Sequence, residues 1–171
     1  FGWAVDISGN YAIVGANNDL SGSGSAYIFY YNGTSWSQQK ITSGDSSNNQ
    51  FGTSVAIDGN TAAIGARYYD RDGPSPNLTG SVYIFTGSGT SWSQTTNLIA
   101  TDRAANDAFG WSVDISGDYV IVGAPFDDDS ASGSGSAYIF YNNNGSWSQQ
   151  AKLVSPSPVA SDHFGWSVGI D

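Results

Sequence analysis

Carboxylates are the groups of this chain best placed to do chemistry, and its loops hold them in clusters. Asp127-Asp128-Asp129 puts three in a row, Asp70 and Asp72 bracket an arginine in Asp70-Arg71-Asp72-Gly73, and Asn17, Asn18 and Asp19 fill a third such loop. Three adjacent carboxylates repel one another, and a divalent cation relieves that repulsion by taking their oxygens as ligands. Asp70, Asp72, Asp127, Asp128 and Asp129 are therefore the candidate metal ligands, with Ca2+ the candidate cofactor. The plainer alternative is a solvated acidic loop that keeps the protein in solution. The spaced Asp-x-Asp-x-Asp-Gly pattern of a calcium loop survives only as the fragment Asp70 to Gly73.

Aromatic residues stand beside these acids. Tyr68, Tyr69 and Phe126 are the candidate ligand-binding residues, because rings stack on the apolar faces of sugars while neighbouring carboxylates accept from hydroxyls. The same rings could cap the ends of the sheets. Asn32, Asn77 and Asn144 head Asn-x-Ser/Thr sequons without proline and are candidate glycosylation sites. Catalysis finds little support. The single histidine, His163, adjoins Asp162, but no Gly-x-Ser-x-Gly elbow accompanies it. All fifteen acids are Asp, and those in exposed loops lack the pocket that a glycosidase acid needs. Gly22-Ser23-Gly24 and Gly133-Ser134-Gly135 precede strands, so neither is a phosphate cradle. The chain is expected not to be an enzyme.

The elements that position these loops repeat. Phe-Gly recurs at Phe1, Phe51, Phe109 and Phe164; Gly-Ala follows at Gly15, Gly65 and Gly123. A Gly-Ser-(Ala/Val)-Tyr-Ile-Phe run comes next, from Gly24, Gly80 and Gly135, and Ser-Trp-Ser-Gln closes each unit from Ser35, Ser91 and Ser146. The units are 1–50, 51–108 and 109–163, with 164–171 the first strand of a fourth. Such a period marks a propeller or a stacked array. Within the first unit, Gly2 to Ser8 alternates apolar and small or polar residues, Gly9-Asn10 turns, Tyr11 to Ala16 is a buried strand, and Ser25 to Tyr31 and Trp36 to Thr42 complete four strands. Four short antiparallel strands per unit make a propeller blade. The expected fold is all-β, a β-propeller or a segment of one.

These motifs resemble the FG-GAP repeat of bacterial surface proteins, related to the blades of the integrin α-chain propeller. Phe109-Gly110 followed by Gly123-Ala124-Pro125 carries the full signature. The resemblance implies an extracellular or cell-surface protein that adheres to or recognises something, and no catalytic activity. Calcium-binding members carry an Asp-rich loop between the first two strands of the blade. Here that connection is Ser8-Gly9-Asn10, Asp58-Gly59-Asn60 or Ser116-Gly117-Asp118, too short for the six to eight oxygens of calcium. The family's calcium site does not carry over.

Topology predicts where the acids gather. Loops between the second and third strands emerge on the same face as the connections between blades, which carry Asp45, Asp102, Asp107 and Asp162. That face is the expected binding surface. Trp36, Trp92 and Trp147 hold one equivalent position and read as blade-to-blade packing. Trp3, Trp111 and Trp166 follow Phe-Gly, with Thr53 in their place in the second unit, which suggests a blade edge. Neither set reads as a pocket.

With five Lys and Arg against fifteen Asp, the net charge is −10, which argues against nucleic acid and anionic membrane as partners. No apolar run reaches membrane-spanning length, and the absence of cysteine leaves no disulfide framework. A start at Phe1 predicts a processed chain or a piece of a longer one. Three blades leave two apolar flanks, so self-association, a longer parent chain or a fibre is expected. Binding or adhesion to a glycan or protein ligand through the long-loop face is the leading expectation. Its alternative is a structural subunit of a surface filament, sheath or matrix. A binding module predicts converging Tyr, Trp and Asp in a concave site; a subunit predicts contacts through terminal strands; an enzyme predicts a buried carboxylate with a displaced pKa.

Overall fold

The computed structural model describes residues 1–44, 48–69 and 78–171. Its twelve strands form three four-stranded antiparallel sheets, each in sequence order. The first sheet comprises β1 (Val5–Ser8), β2 (Tyr11–Ala16), β3 (Ser25–Tyr31) and β4 (Trp36–Ile41). The second comprises β5 (Ser54–Asp58), β6 (Thr61–Ala66), β7 (Ser81–Ser88) and β8 (Ser91–Leu98). The third comprises β9 (Ser112–Ser116), β10 (Tyr119–Ala124), β11 (Ser136–Asn143) and β12 (Ser146–Leu153). A 3-10 turn at Leu20–Gly22 is the only helical element among the described residues. The chain is all-β, built as three propeller blades that do not close into a ring.

The alternation along β7 shows how one strand serves two seams. Tyr83 and Phe85 pack with Ile13, Ile28 and Phe51 against blade 1, whereas Val82 and Ile84 pack with Val113, Val120 and Phe109 against blade 3. Successive side chains of a strand point to opposite faces, so the middle blade is apolar on both. Strands at the ends of the array have only one covered face. Val55 and Ile57 are 7% and 3% exposed, but their counterparts Val5 and Ile7 in blade 1 are 69% and 67% exposed.

The two short motifs meet at the seams. The Phe-Gly of each unit bridges in parallel to the preceding blade, Gly24 with Phe51, Gly80 with Phe109 and Gly135 with Phe164. Beside each bridge the Gly-Ala glycine receives the carbonyl of the next Phe-Gly glycine, Gly65 receiving Gly110 and Gly123 receiving Gly165. Ser54 and Ser112 donate their hydroxyls to those same carbonyls at 2.8 Å. Of the equivalent tryptophans, Trp92 and Trp147 pack at the seams, as expected. Trp92 is buried, its ring edge-on to Tyr11 of blade 1 at 5.4 Å, and its backbone exchanges two hydrogen bonds with Gln39 of that blade. Trp36, with no blade before it among the described residues, is half exposed.

One expected element differs. Residues 164–171 make the single bridge at Phe164 and no ladder. A strand needs a row of backbone partners, and among the described residues no hairpin partner stands beside this segment.

Candidate functional site

The blade tops differ from one seam to the next, although the strands beneath them repeat. Over blades 2 and 3 opens a cleft of about 570 Å3 walled by Tyr68, Trp111 and Phe126, with Arg67 and His163 on its sides and Asn106, Asp128, Ser132 and Ser161 around its rim. Tyr68 follows β6, Phe126 follows β10, and Trp111 and His163 adjoin the Phe-Gly pairs at 109 and 164. Four chain segments thus converge because the repeat delivers each to the same face. Its size falls within the roughly 300–1,000 Å3 of small-ligand sites.

The rings support one another. Trp111 lies edge-on to Phe126 at 5.3 Å and tilted against Trp166 at 4.5 Å, and Phe126 lies edge-on to His163 at 5.1 Å. The Arg67 guanidinium sits 4.4 Å from the centre of Trp111 and 4.7 Å from that of Tyr68, a cation–π sandwich that fixes its plane. Its Nε donates to Gln50 Oε1 at 2.9 Å. Several residues lining the cleft hold left-handed backbone without being glycine, among them Leu78, Asn106, Ala108, Ser161 and His163. The repeat itself sets this backbone, since Gln50, which precedes Phe51 as Ala108 and His163 precede Phe109 and Phe164, holds it as well.

Of the expected ligand-binding residues, Tyr68 and Phe126 line this cleft, and Tyr69 does not. Tyr69 turns inward, edge-on to Tyr83 at 6.0 Å and packed on the core between blades 1 and 2. The reason is register. Tyr69 stands four residues after its Gly-Ala glycine, the position of Asp19 and Asp127, and that position points down onto the tyrosine of the third strand. Trp111 and His163 are cleft residues that the sequence did not single out, because the repeat made one look like an edge and the other like a lone loop histidine.

The acidic loops form a second constellation under the same face. Asp102, Asp127 and Asp129 bring one carboxylate oxygen each to within 4.8 Å of one another. Lys152 occupies their midst, its Nζ 2.8 Å from Asp102, 2.9 Å from Asp127 and 2.6 Å from Asp129. Tyr138 donates its hydroxyl to Asp127 at 2.7 Å. Burial works to raise the Asp127 carboxyl, but the hydrogen bonds from Lys152 and Tyr138 outweigh it and hold it below the usual range. Burial opposes the Lys152 charge, yet the three carboxylates push its pKa above the ordinary lysine value. Burial, helped by the charges of Asp127 and Asp129, pushes Asp107 up to about 6.

Asp128 stands apart from the expected triplet, its Oδ1 accepting from the Gly133 N–H. Asp102, from the connection between blades, takes its place in the cluster. Calcium requires six to eight oxygens. The trio carries six carboxylate oxygens and Tyr138 adds a hydroxyl, but the Lys152 ammonium fills the position between them, so an ion could enter only by displacing it. Asp70 and Asp72 lie outside the described residues.

Blade 1 repeats the device in smaller form. Lys40 pairs with Asp19 at 2.8 Å, and Ser25 and Tyr27 donate to the same carboxylate. The Lys40 hydrogen bond, followed by those from Ser25 and the Leu20 N–H, holds Asp19 well below the usual carboxylate range. In blade 2 both partners change together: Tyr69 replaces the acid, and Asn97, paired with Tyr83, replaces the lysine.

Two of the three sequons are described. Asn32 is exposed in the β3–β4 hairpin, its Oδ1 accepting from the N–H groups of Thr34 and Ser35. Asn144 is exposed in the matching β11–β12 turn with a left-handed backbone. Asn77 lies outside the described residues.

Among the described residues no helix is long and apolar enough to cross a membrane. Compared with known families, the chain matches the one described as FG-GAP repeat over residues 1–29, 36–85, 92–140 and 147–171. Each internal match starts on the fourth strand of one blade and ends on the third strand of the next. The matched unit therefore straddles a seam. No curated protein matches the chain.

Proposed function

Because the chain belongs to the FG-GAP repeat family, whose β-propeller modules commonly bind and are typically non-catalytic, we propose that it is an extracellular or cell-surface binding module whose ligand seats in the cleft over blades 2 and 3. The convergence of Tyr68, Trp111 and Phe126 around one concavity carries this assignment. Aromatic walls with a polar rim suit a glycan, the rings stacking on its apolar faces and the rim side chains pairing with its hydroxyls. FG-GAP repeats typically occur in extracellular and surface proteins, which supports the location. Asp107 has the raised pKa and burial of a catalytic acid, but its carboxylate accepts from the Ala104 N–H and does not line the cleft.

The test is a screen of the whole chain against immobilised neutral and acidic glycans, repeated with Phe126→Ala and Tyr68→Ala. Glycan capture by the wild type that both substitutions weaken is expected. Capture unaffected by either would remove the cleft from the account.

A structural role is the second reading, favoured by the uncovered apolar flank of Phe1, Trp3, Val5 and Ile7. Blade 1 presents there the surface that blades 2 and 3 bury, so a second copy or further blades would find a ready partner.

A further inference from the structure

We propose that the cleft selects an acidic glycan and that Arg67 holds its carboxylate; this deepens the assignment above and rests on it. The chain has five cationic side chains and a net charge of −10. Lys40 and Lys152 are neutralised by aspartates. Arg67 differs. Among the described residues its contacts are the neutral Gln50, Tyr68 and Trp111, and no carboxylate pairs with it. A cation with no carboxylate partner among the described residues, set in a concave site of an acidic protein, is a candidate recognition group.

Its presentation suits a carboxylate. Rings near the guanidinium and the bond from Nε to Gln50 fix its plane, and among the described residues the Nη groups make no hydrogen bond. A planar fork whose Nη groups have no partner among the described residues matches the two oxygens of a carboxylate. Asp128 on the rim has the opposite sign. It repels an acid and accepts from hydroxyls, so the sugar's acidic end lies towards Arg67 and a hydroxyl-bearing end towards Asp128. Asn106, Ser132 and Ser161 add short polar groups around the rim. An extended peptide would instead look for a free strand edge to pair with, and the cleft is lined by side chains of loops and turns.

The repeat provides an internal control. At the seam between blades 1 and 2 the positions of Arg67, Tyr68 and Trp111 are held by Asn17, Asn18 and Thr53. The scaffold therefore needs neither the cation nor the rings there. Their appearance together at one seam marks a site set into the repeat.

Isothermal titration with a galacturonic acid tetramer and with its fully methyl-esterified counterpart tests the proposal, because esterification removes charge and leaves the rings. Wild type should bind the acid about tenfold or more tightly than the ester, in line with a charged hydrogen bond. Arg67→Gln should bind both at the ester's level, and retained ester binding shows that its cleft is folded. Equal affinity of wild type for the two tetramers would overturn the carboxylate inference and leave a neutral-sugar site standing. Binding of neither tetramer would overturn the glycan assignment itself.

Discussion

The carbonyl oxygen of Gly110 lies against the Cα of Gly65, so close that a Cβ on Gly65 would fall well inside van der Waals contact with it and strike the Ser54 hydroxyl as well. Blade 3 begins where blade 2 has no side chain. Gly15 with Gly52 and Gly123 with Gly165 repeat the contact, which gives the Phe-Gly and Gly-Ala pairs one joint cause. Close approach brings backbone to backbone, while Phe51 and Phe109 plug the space beneath.

Gly65→Ala should cost about 3 kcal/mol, the upper range for overpacking against backbone that cannot yield. Gly59→Ala offers the contrast. A Cβ there meets nothing within 4 Å, and only the left-handed backbone is penalised, by about 1 kcal/mol. Urea unfolding of both variants should rank them in that order.

Ile57→Ala should destabilise by about 3 kcal/mol, as for a buried aliphatic truncated in a core. Its counterpart Ile7→Ala, on the open flank, should stay within about 0.5 kcal/mol. If flanks also join copies, light scattering over a concentration range will show particles larger than 17.9 kDa, and Ile7→Asp will reduce them to that mass. Growth that ignores Ile7→Asp would place the joint elsewhere.

Lys152→Met removes the cation from among Asp102, Asp127 and Asp129. Stranding buried charge should cost about 3 kcal/mol, and the vacated carboxylates become open to an outside ion. Calcium should therefore leave the melting temperature of the wild type unchanged and raise that of Lys152→Met. Calcium stabilisation of the wild type, lost on changing Asp127, Asp128 and Asp129 to Asn, would show instead that the ion displaces the lysine.

Asp107 sets a pH dependence with a definite sign. In the native state it keeps its proton to about 6, against 3.8 for the ordinary carboxyl. Between those values the native state binds more protons than the unfolded one, so this contribution is complete below about pH 4 and is lost as pH rises through 6. Asp107→Asn stays uncharged and should be more stable than wild type at pH 7, with the difference vanishing near pH 4. Asp19 and Asp127, whose pKa values are depressed, act in the opposite sense, their contribution being lost as pH falls below the ordinary carboxyl value.

The strands were legible because their signals are local and repeated. Tyr11–Ala16 and Ser25–Tyr31 fall where the alternation and turn residues put them. The sharing of one face by Asp127 and Asp102 followed from topology alone. Side-chain partnership did not. Nothing in Asp127-Asp128-Asp129 reveals that the middle residue turns to Gly133 while a lysine 25 positions from Asp127 fills the trio. That lysine is visible only once β11 and β12 are in register, with Tyr138 opposite Lys152. Trp111 was masked by its own repetition, since its place in the cleft depends on what surrounds it at one seam. The joint change from Asp19 with Lys40 to Tyr69 with Asn97 is a signal of that partnership carried by the repeats themselves.

The six tryptophans give the most direct test of the cleft. Indole N–H resonances of the labelled chain, followed by NMR during titration with the galacturonic acid tetramer, report each ring separately. Saturable shifts at Trp111 and its neighbour Trp166, with Trp3, Trp36 and Trp92 unmoved, are the predicted result. Shifts confined to Trp3 and Trp36 on the open flank of blade 1, or none at all, would contradict it.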